Sequence, residues 1–281
     1  MRITDALGLA SQLADMSDSP RLDIEIMLCK VLDKPSSYLM TWPEKELSVE
    51  QQTAFQHYFD RRLSGEPLAY ILGSRAFWTF ELDVSPFTLI PRSDTEVLVE
   101  IALSKVGNSH HRVLDLGTGT GAIALALASE RPEWDVWGCD RVSEAVSLAR
   151  RNQSKLNLDR VHFVQGSWFE PLSGQFHLIV SNPPYIDPQD SHLQQGDVRF
   201  EPRSALVADD HGLADIKHIV EKAPAYLYPE GWLMFEHGYD QGEDVRMLFV
   251  TNGFDRVETC KDYAGNDRVT LGCWRPSREH E

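Results

Sequence analysis

Val113-Leu114-Asp115-Leu116-Gly117-Thr118-Gly119-Thr120-Gly121-Ala122 reads as a strand, a glycine-rich turn and the first residue of a helix. Apolar residues flank Asp115 before the turn, glycines alternate with threonines through it, and Ala122 to Ala128 continues as an apolar helix. Glycine permits positive φ and lets a ligand approach the backbone closely, so a strand, turn and helix in this order suit a nucleotide-like ligand. The next apolar run, Asp135 to Cys139, ends at Asp140, nineteen residues after Gly121. An acidic residue about 20 positions beyond such a turn is placed to accept hydrogen bonds from ribose hydroxyls. The stretch predicts an α/β fold with a nucleoside site at the carboxyl ends of its strands.

Outward from this unit, strands fall near 112–116, 135–139, 161–165, 176–181 and 231–236 and alternate with helices. That alternation is the mark of a doubly wound parallel sheet. Phe254 to Glu258 and Arg268 to Cys273 leave no room for a crossover helix and should pair antiparallel, completing seven strands. Residues 1–75 predict a small helical bundle. Its helices are Ile3 to Met16, Arg21 to Leu32 opened by Ser19-Pro20, Tyr38 to Trp42, and a long helix capped by Ser48-Val49-Glu50-Gln51 and ended by Gly65. Residues 76–92 predict a β-hairpin connector, with strands Phe77 to Val84 and Pro86 to Ile90. The larger domain, 93–281, opens with Ser93-Asp94-Thr95-Glu96 capping a helix that runs to Lys105.

A second stretch carries chemistry. Asn182-Pro183-Pro184-Tyr185 follows the apolar run Phe176 to Val180 by one residue, at the strand end where open α/β sheets bind ligands. Asn182 offers a carbonyl oxygen, and the prolines, having no N–H, leave backbone carbonyls as acceptors. Two such acceptors match the two N–H bonds of an NH2 group, and Tyr185 can lie against its flat face. Gly117, Gly119 and Ala122 also satisfy the G-x-G-x-x-G/A pattern of dinucleotide binders. Asp115, two residues before the first glycine, would oppose a pyrophosphate but could hold a cationic amino group, which favours S-adenosylmethionine over NAD.

With these motifs the chain resembles the HemK/PrmC-type protein-(glutamine N5) methyltransferases, which act on the Gly-Gly-Gln glutamine of class I peptide-chain release factors. The likeness extends through Pro67 to Gly73, Leu89-Ile90-Pro91-Arg92-Ser93-Asp94-Thr95-Glu96, Asp197 to Pro202 and Phe235-Glu236-His237-Gly238, nearly the whole chain. Ser93-Asp94 replaces the usual Pro-Glu, and Thr120 stands where serine is common; neither change removes a group the chemistry needs. The resemblance implies a class I S-adenosylmethionine-dependent methyltransferase with a Rossmann-like seven-stranded sheet and a small N-terminal helical domain that docks the substrate. It implies S-adenosyl-L-methionine as cofactor, with S-adenosyl-L-homocysteine as product, held by Asp115, Gly117, Thr118, Gly119, Thr120, Gly121, Asp140 and Trp168, with Asn182 shared with the substrate. Asn182, Pro183, Pro184 and Tyr185 would bind the glutamine amide, with Asn182, Pro183 and Tyr185 taking the catalytic part. For Trp168, an adenine wall and ordinary packing remain equally open.

Composition sets bounds on the partners. The 281 residues exceed one ordinary core of roughly 100 to 200. Against 27 Lys and Arg stand 43 Asp and Glu, a formal charge of −16 that would repel a phosphate backbone. Adenine-N6 methyltransferases of nucleic acid share the Asn-Pro-Pro-Tyr pattern and are the alternative; the charge disfavours them. No apolar run approaches a span of about 20 residues, and Met1 to Asp5 has no secretory core, so cytoplasmic residence is expected; a monomer is expected as well. Cys29, Cys139, Cys260 and Cys273 are scattered, predicting neither disulfide nor metal. A glutamine amide has no proton to lose first, so His192 and His237 are not assigned as bases. Glu236 ends the fifth strand and could orient the substrate region, but a solvated strand-end carboxylate is the expected reading, and it is left out of the catalytic set. The long loop Ile186 to His211 is expected to close over the substrate; Arg199, Glu201 and Arg203 either order it through salt bridges or, as the favoured reading, are solvated surface charges.

Overall fold

Apolar runs separated by helices produce a seven-stranded sheet in the larger of two units. The computed structural model describes residues 1–276, and the chain divides into Met1–Ser74 with Ser191–Phe200, and Arg75–Asp190 with Glu201 onward. Strands β1 (Ser74–Phe77) and β2 (Phe80–Asp83) form a hairpin. The main sheet contains β3 (Arg112–Leu116), β4 (Asp135–Asp140), β5 (His162–Gln165), β6 (Phe176–Ser181), β7 (Leu227–Glu236), β8 (Phe254–Lys261) and β9 (Asp267–Trp274). Its order is β5-β4-β3-β6-β7-β9-β8, parallel except where β9 pairs antiparallel with β7 and β8. The chain steps from β3 to β4 and β5 on one side and restarts at β6 on the other. A ligand crevice opens at such a reversal.

Both faces of the sheet are covered. Helices Asp94–Lys105 and Ala122–Glu130 pack on one face, and Ala214–Lys222 and Gly242–Thr251 on the other. Ala122 through Ala128 are all buried, which is why that helix is apolar on every side. No helix among the described residues is long and apolar enough to cross a membrane.

In the helical unit, Pro20 opens the helix Pro20–Leu32 at its first turn. Ser48 caps Val49–Leu63: its Oγ accepts from Gln51 N at 3.2 Å, and Gln51 Oε1 accepts from Ser48 N at 2.9 Å. The expected first helix is shorter, α-helical over Ile3–Gly8 and 3-10 over Leu9–Leu13. Gly8 and Ser11 are weak helix formers, and the chain tightens where propensity fails. Ser191–Phe200 joins this unit through Arg62, only 4% exposed, which donates to Asp23 at 2.7 Å and to Asp197 at 2.8 Å.

Two local expectations need correction. The hairpin is formed within 74–83, because Trp78 adopts a left-handed φ of 57° and turns the chain inside the run expected to be one strand. Pro86 to Ile90 is not a strand; it is a turn in which Thr88 N donates to Ser85 O at 3.2 Å. Ser93 does not cap the following helix, since its φ and ψ of −60° and −33° are already helical. Glu96 instead accepts from Trp78 N at 2.8 Å and fixes the hairpin turn.

Candidate functional site

The glycine turn is built by the neighbouring strand. Leu116 pairs with Cys139, whose carbonyl accepts from Gly117 N at 2.9 Å and Thr118 N at 3.0 Å. Gly117, Gly119 and Gly121 lie in the left-handed region, at φ 72°, 55° and 83°. At Gly121 a Cβ would also come within 3.0 Å of Phe163, so glycine is needed for both reasons. Asp140 pins the turn: Oδ2 accepts from Gly119 N and Oδ1 from Val142 N, both at 2.9 Å. Asp115 lies behind the turn, fully buried, with Oδ2 accepting from Thr118 Oγ1 at 2.6 Å and Ala124 N at 3.2 Å. Burial pushes its carboxyl up to about 7.

The second motif emerges beside the first. Leu116 also pairs with Ser181, whose Oγ donates to Leu116 O at 2.7 Å, so Asn182 leaves β6 next to the glycine turn. Asn182 Nδ2 donates to Thr95 Oγ1 at 3.1 Å, while its enclosed Oδ1 has no donor among the described residues. Tyr185 donates its hydroxyl to Glu236 Oε1 at 3.4 Å. Glu236 ends β7 and is 1% exposed, contrary to the solvated carboxylate expected, because β6 and β9 flank it. Burial chiefly lifts its carboxyl to about 7. Gln241 clamps the far end of the motif, donating to Tyr185 O at 2.9 Å and His211 O at 3.1 Å. A Cβ at Gly212, φ 83°, would stand 2.1 Å from Tyr185 O.

These elements border a cleft that is partly open to solvent. Of the residues expected in the site, Gly117, Thr118, Gly119, Thr120, Asp140, Trp168, Asn182 and Pro184 line it. Asp115, Gly121, Pro183 and Tyr185 lie outside the lining and shape or anchor it. A Cβ on Gly117 would stand 3.6 Å from the Trp168 ring, so the ring and the glycine turn form one wall. A glycine cradle, an aromatic wall and the carboxylate of Asp140 suit a nucleoside cofactor such as S-adenosyl-L-methionine. Thr95, Leu89 and the 53% exposed Phe87 also line the cleft and were not singled out as site residues. Leu89 and Thr95 lie in the motif Leu89 to Glu96; the contact itself depends on the fold.

The residues match two family models, the PrmC N-terminal domain over 6–73 and the methyltransferase small domain over 93–200. The release factor glutamine methyltransferase of Aliivibrio fischeri is 56% identical over 95% of this chain and 95% of that one. The chain belongs to the release factor glutamine methyltransferase family. The Pseudomonas aeruginosa member is 55% identical over 94% of this chain and 96% of its own. A methyltransferase crystal structure from Pyrococcus furiosus shares the fold, with a TM-score of 0.53 at 20% identity over 69% of this chain and 90% of that one.

In this member of the family the long loop is ordered by ion pairs. Glu201, 4% exposed, accepts from Ile90 N at 2.9 Å and pairs with Arg92, so it is not the surface charge expected. Arg199 lies over the Phe200 ring at 5.0 Å. His237 is engaged at both nitrogens, with Gly238 O and Thr270 Oγ1 each at 2.8 Å, and burial holds its pKa below the usual value.

Proposed function

We propose that the chain transfers a methyl group from S-adenosyl-L-methionine to the side-chain amide nitrogen (N5) of the Gly-Gly-Gln glutamine in class I peptide-chain release factors, in the cytoplasm. The observation that carries this is the Asn182 side chain, whose Nδ2 is committed to Thr95 while its enclosed Oδ1 lacks a donor. A buried acceptor without a donor costs about 1 to 3 kcal/mol. A substrate NH2 group removes that cost.

The cofactor supplies a methyl group already activated on a sulfonium centre. An amide nitrogen is a poor nucleophile, because its lone pair is delocalised into the carbonyl. The protein's task is therefore alignment. Asn182 Oδ1 and the Pro183 carbonyl accept the two N–H bonds and fix the nitrogen's direction, and the Tyr185 ring bounds the amide plane. Holding reactants as near-attack conformers can supply about 7 to 11 kcal/mol at best. Both acceptors also stabilise positive charge growing on the nitrogen. A proton then leaves to water, so no side-chain base is required.

The test offers labelled S-adenosyl-L-methionine and three acceptors: a release factor, the same factor with its Gly-Gly-Gln glutamine changed to alanine, and adenine-containing duplex DNA. Label on the intact factor alone is expected. Label on the altered factor or on DNA would contradict the proposal.

A further inference from the structure

Asn182 can serve as an acceptor only if its amide is held the right way round. Oxygen and NH2 have nearly the same shape, and a half-turn of the amide would set donors against the donors of the substrate nitrogen. The hydrogen bond from Nδ2 to Thr95 Oγ1, at 3.1 Å, prevents that turn. Thr95 holds it only while its own proton points elsewhere, since a hydroxyl has one proton to give. The acceptor within reach of that proton is Glu236, which also accepts from Tyr185 Oη at 3.4 Å. An ionised carboxylate accepts and never donates, so a chain ending on one has a single direction. From Asn182 through Thr95 the donors run toward Glu236, and Asn182 Oδ1 is left as the acceptor without a donor.

We propose that Glu236 is a positioning residue for the methyl transfer, its carboxylate setting the direction of the Asn182–Thr95 hydrogen bond so that Asn182 presents oxygen to the substrate amide. The inference rests on the proposed function. A second observation supports it: Glu236 is 1% exposed, and its Oε2 has no hydrogen-bond donor among the described residues. Burying such a group costs stability unless it is fully partnered, so the site keeps a carboxyl that folding alone does not favour. Burial opposes the charged form, as does Asp94, while the Thr95 hydroxyl, Arg268 and Tyr185 favour it. Ionisation is therefore within reach of ordinary pH.

Glu236→Gln and Thr95→Val, both close in shape to the native side chains, test the proposal. Glutamine can turn either its oxygen or its NH2 toward Thr95, and valine removes the acceptor that Asn182 uses. Each variant is expected to lower kcat about 10-fold or more, with KM for the release factor and calorimetric affinity for S-adenosylhomocysteine within about 3-fold of wild type. Wild-type kcat should fall below about pH 7, and that limb should be absent from Glu236→Gln. Because both residues act through Asn182, neither substitution should slow an Asn182→Ala enzyme by its full factor. Wild-type kcat in Glu236→Gln, or full additivity with Asn182→Ala, would overturn the positioning role and leave the methyltransferase function standing. If the wild-type protein leaves release factors unmethylated, the function fails first.

Discussion

Asp140 carries a backbone N–H on each carboxylate oxygen, from Gly119 and Val142, and borders the cleft with acceptor capacity left over. Asp140→Ala should weaken S-adenosylhomocysteine binding by about 1.5 to 3 kcal/mol, the range for a hydrogen bond to a charged group. Unchanged affinity by titration would place the nucleoside elsewhere. Asp115 and Glu236, both raised to about 7, make a different prediction. A carboxyl whose folded pKa exceeds its unfolded value holds a proton that unfolding releases. Its stabilisation is complete below the unfolded value and is lost as pH rises through the folded one. Thermal stability should therefore fall between about pH 4 and pH 7 from these two groups. Asp115→Asn with Glu236→Gln should flatten that slope in a pH series of melting curves; an unchanged slope would refute the assignment. Asn182 to Tyr185 were legible because acceptor, prolines and ring are contiguous. The part of Thr95 and the burial of Glu236 were not, because the fold brings both to Asn182 from distant elements.

At the scale of elements, the decisive pairings are between strand ends. Leu116 lies beside Cys139 and Ser181, and Ser181 beside Phe235, so three strands deliver the glycine turn, the Asn-Pro-Pro-Tyr motif and Glu236 to one edge. The glycine turn was readable because its strand, turn and helix adjoin. The hairpin was misplaced because Trp78, a large aromatic in a run of strand formers, gives no turn signal; its left-handed φ is set by contacts such as that with Glu96. Gly212 gave no local signal either. Its backbone approaches Tyr185 O too closely for any side chain, so Gly212→Ala should destabilise by about 2 kcal/mol or more, from left-handed strain and displacement of the motif. A melting temperature equal to wild type would show that the clamp relaxes freely.

Across the whole molecule, the sheet order places the chain's reversal between β3 and β6, and the two sequence motifs occupy the two sides of that point. The alternation of apolar runs and helices made this architecture legible. The assignment of Ser191–Phe200 to the helical unit was not, since it depends on Arg62 meeting Asp197 across 135 positions. A molecule organised around this crevice should be stabilised by its own cofactor product. At a hundredfold excess over Kd, S-adenosylhomocysteine should add about 2.7 kcal/mol and raise the melting temperature, and NADH should not. A shift with NADH alone would return the glycine turn to the dinucleotide class.

In the proposed mechanism the unpartnered oxygen of Asn182 grips the reacting nitrogen. Single-turnover methyl transfer to a release factor by Asn182→Ala, beside calorimetric affinity for S-adenosylhomocysteine, tests it most directly. Transfer is expected to slow at least about 100-fold, the scale of a lost transition-state hydrogen bond, with affinity within about 3-fold of wild type. Transfer near the wild-type rate would contradict it.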